Sequence, residues 1–250
     1  MIRSDDLYHF MDDHIERCPS IVRLYGEISR VEDGPDRVTV QVGGDVYTGR
    51  WVLSSLTARS AAPRGYISLM QHFQGWTVEA PKPAFDSSTA TFMDFRVPHH
   101  NDVRFVYVLP LDARRALVEF TVFSGTLLPR GEYACGLHHY LQEVVGLEEY
   151  HVTDSEWGVI PMTDAPFPTR LGRHVMAIGT AGGCTKPSTG FTFGRIQRQA
   201  SSIVSHLART GEPFAPPIMS RRHVWMDGIF LRVLETGRVD GRRLSVTFSR

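Results

Sequence analysis

Two stretches of this chain carry residues whose types and spacing suit chemistry. Glu119 is a carboxylate inside the apolar run Ala116-Leu-Val-Glu-Phe-Thr-Val-Phe123. On an alternating strand it shares a face with Leu117, Thr121 and Phe123. Burial on that face disfavours the ionised form and raises the pKa, which suits a carboxylic acid that donates a proton. On the solvent face of an edge strand the same glutamate would be an ordinary surface charge, and periodicity alone leaves both readings open. The second stretch is Ala177-Ile-Gly-Thr-Ala-Gly-Gly-Cys-Thr-Lys-Pro-Ser-Thr-Gly190, which reads as strand end, small-residue turn and helix start. Gly179, Gly182 and Gly183 let backbone approach a ligand closely, and Pro187 to Gly190 break the chain. Free amides at such a helix start attract phosphate or a ring carbonyl, although turns of this kind also arise for packing alone. A second carboxylate, Asp94, lies between Met93 and Phe95 with Arg96 two positions on, so an Asp94–Arg96 ion pair and a site role both remain open.

The elements that must position these residues follow from periodicity. Ser4 can cap an amphipathic helix carrying Leu7, Phe10, Met11 and Ile15. Strand-like runs at 22–31, 37–42 and 46–53, joined by Asp33-Gly-Pro-Asp36 and Gly43-Gly-Asp45, predict a β-meander. After a break at Ser60-Ala-Ala-Pro-Arg-Gly65, further strands are expected at 67–80, 90–97, 103–109 and 115–123, the last two as a hairpin around Leu111-Asp-Ala-Arg114. A helix is expected over 132–145 and a strand over 151–160. The run His174-Val-Met-Ala-Ile178 reads as a buried strand, and Ile196, Ala200, Ile203, Val204 and Leu207 recur at helical spacing after the turn. Phe73, Trp76, Phe92, Phe105, Tyr107 and Phe123 are core aromatics or the lining of a long apolar slot.

Bulk composition excludes several classes. The chain has 250 residues, a hydrophobic fraction of 42% and 27 basic against 27 acidic residues, hence no net charge to recruit nucleic acid. Three cysteines, Cys18, Cys135 and Cys184, show no metal or dithiol spacing, which fits a reducing cytoplasm, and Cys184 reads as a small buried thiol. The eleven histidines include adjacent pairs at 99–100 and 138–139, whose members point apart, so no metal site is expected. No apolar run reaches the ~18 residues of a membrane span, and the opening Met-Ile-Arg-Ser-Asp-Asp has no basic segment leading into an apolar core, so neither a span nor an export signal is expected. Arg221-Arg-His-Val-Trp-Met-Asp-Gly-Ile-Phe-Leu-Arg-Val-Leu234 combines basic residues with a broad apolar face, fitting either a core-docked helix or one lying on a lipid surface.

Five motifs, taken in order, resemble those of the lycopene β-cyclase family. They are Gln71-His-Phe-Gln-Gly-Trp76, Thr91-Phe-Met-Asp-Phe-Arg96, Phe105-Val-Tyr-Val-Leu-Pro-Leu111 with Ala116-Leu-Val-Glu-Phe-Thr121, Trp157-Gly-Val-Ile-Pro-Met-Thr163, and the turn with its following helix. The similarity runs from about residue 66 to about residue 199 and is weaker on either side. It implies an α/β (mixed α+β), FAD/NAD(P)-binding flavoprotein fold with a sheet-rich substrate domain inserted. The expected segments are 1–60 (partial cofactor domain), 61–165 (substrate domain), 166–210 (flavin-contacting strand and helix) and 211–250 (C-terminal helical segment). None of the 22 glycines lies two positions from another, so the Gly-x-Gly-x-x-Gly turn that opens the family's cofactor domain is missing and the sequence is expected to be N-terminally incomplete.

The resemblance also implies an activity: non-redox cyclisation of linear carotene end groups to β-ionone rings, an isomerisation. Glu119 matches the motif glutamate that transfers the proton, and Asp94 falls near the substrate. Where some members carry two acids in this motif, Glu119 is followed by Phe120, so a second acid is not assigned. Gly179, Thr180, Ala181, Gly182, Gly183, Thr185, Pro187 and Gly190 are the implied FAD contacts. Thr180 stands where related flavin hydroxylases carry an aspartate, and its hydroxyl can make the same hydrogen bond. The implied cofactor is reduced FAD with NAD(P)H as electron source. The implied partners are lycopene or a related linear carotene, a membrane surface on the cytoplasmic side, and other carotenoid-pathway enzymes. Two alternatives stay open: an inactive fragment or carotenoid-binding module, and a flavin hydroxylase relative.

Overall fold

Alternating apolar runs joined by short turns pair as antiparallel ladders, and nearly every strand of this chain does so. The structure is a computed structural model describing residues 4–56, 63–100 and 102–237. The expected break at 60–65 lies partly outside these residues, and the last thirteen positions lie wholly outside them. Two compact units result, Met1–Val52 with Gly172–Val175, and Leu53–Leu171 with Met176–Arg250. The sheet expected within 61–165 falls in the second unit.

In the first unit, helix α1 (Ser4–Glu16) has no buried residue. Strands β1 (Ile28–Asp33), β2 (Val38–Val42) and β3 (Asp45–Gly49) form the expected meander in the order β1-β2-β3. Gly43 turns the second hairpin with φ +64°, and the Gly34 amide closes the first on the Arg37 carbonyl at 3.0 Å. The expected single strand over 46–53 is divided, its second part being β4 (Val52–Ser54), which pairs with β10 (Val175–Ala177). Asp33 anchors the returning chain, accepting the His174 amide at 3.1 Å with the His174 Nδ1 at 2.8 Å.

The second unit is built on a five-stranded antiparallel sheet, ordered β6-β7-β8-β5-β9. Its strands are β5 (Ser68–Glu79), β6 (Thr91–Asp94), β7 (Val103–Pro110), β8 (Arg115–Ser124) and β9 (His151–Thr163). Asp112 fixes the β7–β8 hairpin by accepting the Arg114 and Arg115 amides, both at 2.8 Å. Strand β6 is shorter than the expected 90–97 because Met93 adopts φ +55° and the register shifts between Thr91 and Asp94. Period-two alternation gives the sheet two distinct faces. On one, Trp76, Val78, Val106, Val118, Phe120 and Val122 pack with Tyr133, Leu137 and Tyr140 of α2 (Arg130–Tyr140). That helix continues as a π turn, Leu141–Val145, ended by Gly146 at φ +79°. His72 is fully buried beneath α2, with its Nδ1 2.7 Å from the Tyr133 hydroxyl, and burial lowers its pKa. On the other face, Leu69, Val103, Phe105, Phe123 and Met162 pack with Leu231 of α4 (Arg221–Glu235). Helix α3 (Phe193–Thr210) follows the glycine-rich turn. Among the described residues no helix is long and apolar enough to cross a membrane.

Candidate functional site

Glu119 lies on the α4 face of the sheet. Its cross-strand partners are Tyr107 on β7 and Gly75 on β5, and Gly75 is in turn paired with Glu156 on β9. One row therefore runs Tyr107, Glu119, Gly75, Glu156, with all side chains on one face. Glu119 is half-buried, and the Thr121 hydroxyl donates to its Oε1 at 2.7 Å. Burial pushes its pKa up; the Thr121 hydrogen bond opposes this and the Glu156 charge adds to it, leaving the carboxyl at about 7. A carboxyl poised near neutrality can hold a proton and give it up at physiological pH. Tyr107 is pushed upward as well, by burial first and the Glu119 charge second.

Aromatic rings continue from this row. Tyr107 packs against Phe105 at 5.2 Å and Phe92 at 5.1 Å between centroids, and Phe105 meets Phe123 at 5.1 Å. Phe92 also touches Phe191, which follows the glycine-rich turn, at 5.7 Å. Of the aromatics expected along a slot, Phe73, Phe105, Tyr107 and Phe123 share the Glu119 face by register. Trp76 does not: it belongs to the α2 core, one residue out of phase.

The glycine-rich turn approaches the same face. Gly190 sits against Gln71, in line with Phe123 and Ile160 across the sheet; a Cβ on Gly190 would lie 2.0 Å from the Gln71 Oε1. The Gln71 side chain is buried and its Oε1 has no hydrogen-bond partner among the described residues, an acceptor that awaits a donor. Since Gly190 also has φ +72°, Gly190→Ala combines a left-handed alanine with a collision. A loss of about 1–3 kcal/mol is expected, read as a lower Tm in a thermal melt.

Within the turn the chain is held from both ends. The Gly182 amide donates to the Ile178 carbonyl at 3.0 Å and the Cys184 amide to the Gly179 carbonyl at 2.9 Å. Gln199 on α3 accepts the Gly179 amide at 2.9 Å. Thr185 links Thr180 and Thr192 through its hydroxyl, at 3.4 and 3.1 Å. Among the described residues the amides of Thr180, Ala181 and Thr185 donate to nothing, so donors remain for a ligand. Asp227 of α4 closes the turn from the other side, accepting from Lys186, from the Ser188 hydroxyl at 2.7 Å and from Arg195 at 3.4 Å. A cavity of about 320 Å³ backs the turn, lined by Gly182, Gly183, Thr185 and Pro187 together with α3 and α4. Open amides, threonine hydroxyls and the unpaired Gln71 acceptor fit the polar edge of a flavin ring, and the cavity shows that the turn is not packed solid.

The candidate residues thus fall into two groups. Glu119 and Gly190 belong to one side of the sheet, and Gly179, Thr180, Ala181, Gly182, Gly183, Thr185 and Pro187 belong to the turn that leads to Gly190. Asp94 lies apart from them, on the other face of the sheet. The β6 bulge turns its carboxylate toward α2, where it accepts from the Tyr140 hydroxyl at 2.7 Å and pairs with Arg96 at 2.6 Å. Burial raises its pKa, but the Arg96 and Tyr140 hydrogen bonds outweigh burial and hold the carboxyl low. Gln71, Glu156, Arg195, Gln199 and Asp227 are further candidate residues that the sequence pattern did not single out. Among the described residues no three His, Cys, Asp or Glu side chains converge as a metal site.

No curated protein matches the chain. Among solved structures, p-nitrophenol 4-monooxygenase PnpA from Pseudomonas putida is similar with a TM-score of 0.57 at 15% identity, over 98% of this chain and 72% of that one. HpxO from Klebsiella pneumoniae, a variant complexed with FAD, has a TM-score of 0.53 at 17% identity, over 95% and 63%. A geranylgeranyl bacteriochlorophyll reductase-like protein from Thermoplasma acidophilum has 0.53 at 12% identity, over 83% of this chain and 53% of its own. The chain therefore spans about half of the last and under two thirds of the second. These likenesses give the fold, the mixed α/β fold of FAD-dependent oxidoreductases. The family model described as Lycopene cyclase protein matches residues 1–250, the whole chain, and the chain belongs to that family.

Proposed function

We propose that this protein closes the end groups of a linear carotene such as lycopene into β rings, with Glu119 as proton donor and reduced FAD held at the turn from Gly179 to Gly190. The observation that carries this reading is the shared face: a carboxyl near neutrality and an open-amide turn approach one side of one sheet, joined by aromatic rings. Cyclisation begins when the acid protonates the terminal double bond. An internal double bond attacks the resulting cation, a carbon–carbon bond forms, and loss of a different proton completes the ring without change in oxidation state. Phe105, Tyr107 and Phe92 supply an apolar wall whose π faces favour the cation. Held at the turn, reduced flavin would supply electron density that stabilises a cation, and NAD(P)H is the proposed source of its electrons. Gly179, Thr180, Ala181, Gly182, Gly183, Thr185, Pro187 and Gly190 would hold it.

A carotene is dissolved in lipid, so the protein must meet a membrane surface from the cytoplasmic side. Helix α4 suits that contact: Leu231 is buried, whereas Val224, Trp225, Met226 and Ile229 are exposed beside Arg221 and Arg222. Expression of this chain in lycopene-accumulating cells tests the reading. A cyclic product is expected. Unchanged lycopene would overturn it in favour of a carotenoid-binding role, and a hydroxylated product would favour the hydroxylase reading.

A further inference from the structure

We infer that Glu156 is the proton partner of Glu119, passing protons between solvent and Glu119 across the side-chain-free Gly75. The inference rests on the cyclase reading for its purpose and on the sheet for its geometry. Glu119, Gly75 and Glu156 are consecutive in one cross-strand row on β8, β5 and β9. The outer two strands of such a triplet stand roughly 10 Å apart, so two carboxylates in this row ordinarily have a side chain between them. Glycine removes it. A Cβ on Gly75 would lie 2.9 Å from both Cγ and Oε1 of Glu156 and 3.1 Å from Leu117 Cδ1. The Glu156 side chain therefore lies over the glycine and leans toward Glu119, in space that any other residue would fill.

The two carboxyls differ in the way a relay requires. Glu119 is half-buried beside the aromatic wall, and Glu156 lies on an exposed stretch of β9 with access to solvent protons. Burial raises the pKa of Glu156, and the Asp154 charge raises it further. The titratable groups facing Glu119 along its row are Tyr107 and Glu156, with Asp154 one row beyond Glu156. Tyr107 keeps its proton because burial raises its pKa, so of the two titratable groups in the row Glu156 is the one able to exchange.

The step balances without an oxidant. Glu119 gives its proton to the substrate double bond, the cyclised cation returns a different proton to solvent, and Glu156 passes a solvent proton to Glu119, directly or through one water. Phe120 points to the α2 core, so an acid at that position would face the wrong side, and the second carboxylate comes from β9.

The test separates this inference from the cyclase reading. Carboxyl-carbon NMR of the full chain without substrate follows the Glu119 titration in the parent protein and in Glu156→Gln. The Glu119 midpoint is expected to fall in the variant and to stay above the ordinary glutamate range, because burial is unchanged. With substrate, the alkaline limb of the pH–rate profile should move to lower pH, with at least a tenfold loss of rate at pH 8 and recovery in acid. Gly75→Ala, which displaces the Glu156 side chain and leaves both acids present, should move the Glu119 midpoint in the same direction. An unmoved midpoint in a folded Glu156→Gln protein would overturn the inference. A shifted midpoint in a protein with no cyclase activity would uphold the coupling and overturn the cyclase reading.

Discussion

Glu119→Gln is expected to lose cyclisation by about 10²–10⁴-fold while making the protein more stable above neutral pH. The two effects have one cause. In the folded protein burial raises the carboxyl to about 7, so the native state holds a proton that the unfolded chain releases at lower pH. Stability is thus fully present below the ordinary glutamate range and declines as the pH rises through about 7. Glutamine keeps the shape and an acceptor for the Thr121 hydroxyl without the ionisation. At pH 8 the variant should exceed the parent by on the order of 3 kcal/mol at most, and at pH 4 the two should nearly coincide. Thermal melts at both pH values read the stability, and product analysis reads the rate. A stability difference independent of pH would remove the case for a raised Glu119, and retained cyclisation would remove its role as proton donor.

The elements of this fold were legible because the alternation is strong. The long strands β5, β7 and β8 and the hairpin at Asp112 fall where period-two patterning and turn chemistry put them. Three features escaped for physical reasons. The bulge at Met93 changes which way Asp94 faces, and a left-handed methionine has no composition signal. Helix α3 was read by its apolar residues, yet Val204 and Leu207 are exposed, while its inner stripe is Arg195, Gln199 and Ile203. Those polar residues are buried because the turn supplies their partners: Gln199 accepts the Gly179 amide and Arg195 donates to the Thr185 carbonyl. Periodicity scores such positions as solvent-facing. Glu156 was hidden for a related reason, since its neighbour across the sheet is a glycine and only register brings it near Glu119.

Asp227→Ala is expected to have the largest effect on stability of any single change at the site, although Asp227 stands about forty residues from the turn that it holds. It is nearly fully buried on α4 and receives Lys186, Ser188 and Arg195. Burial raises its pKa, but hydrogen bonds from Lys186 and Ser188 and the charges of Lys186 and Arg195 outweigh burial and keep the carboxylate ionised. Removing it leaves the buried Arg195 guanidinium without its counter-charge, a loss of about 3–5 kcal/mol. For a chain of this size that corresponds to a Tm roughly 6–20 °C lower. The sign of the pH dependence is fixed by the lowered pKa: the stabilisation is present above the ordinary aspartate value and is lost as the pH falls through the folded one. The gap between parent and variant should therefore be widest near neutrality and close in acid. Because Lys186, Ser188 and Arg195 all belong to the turn or the start of α3, flavin titration followed by fluorescence should show weaker binding in Asp227→Ala. Glu119→Gln, across the aromatic wall, should leave it unchanged. Asp227→Asn keeps an acceptor for Ser188 without the charge, so it should fall between the two. An Asp227→Ala protein that melts with the parent and binds flavin equally would show that α4 does not hold the turn, and the cradle would have to be stiffened from the α3 side alone.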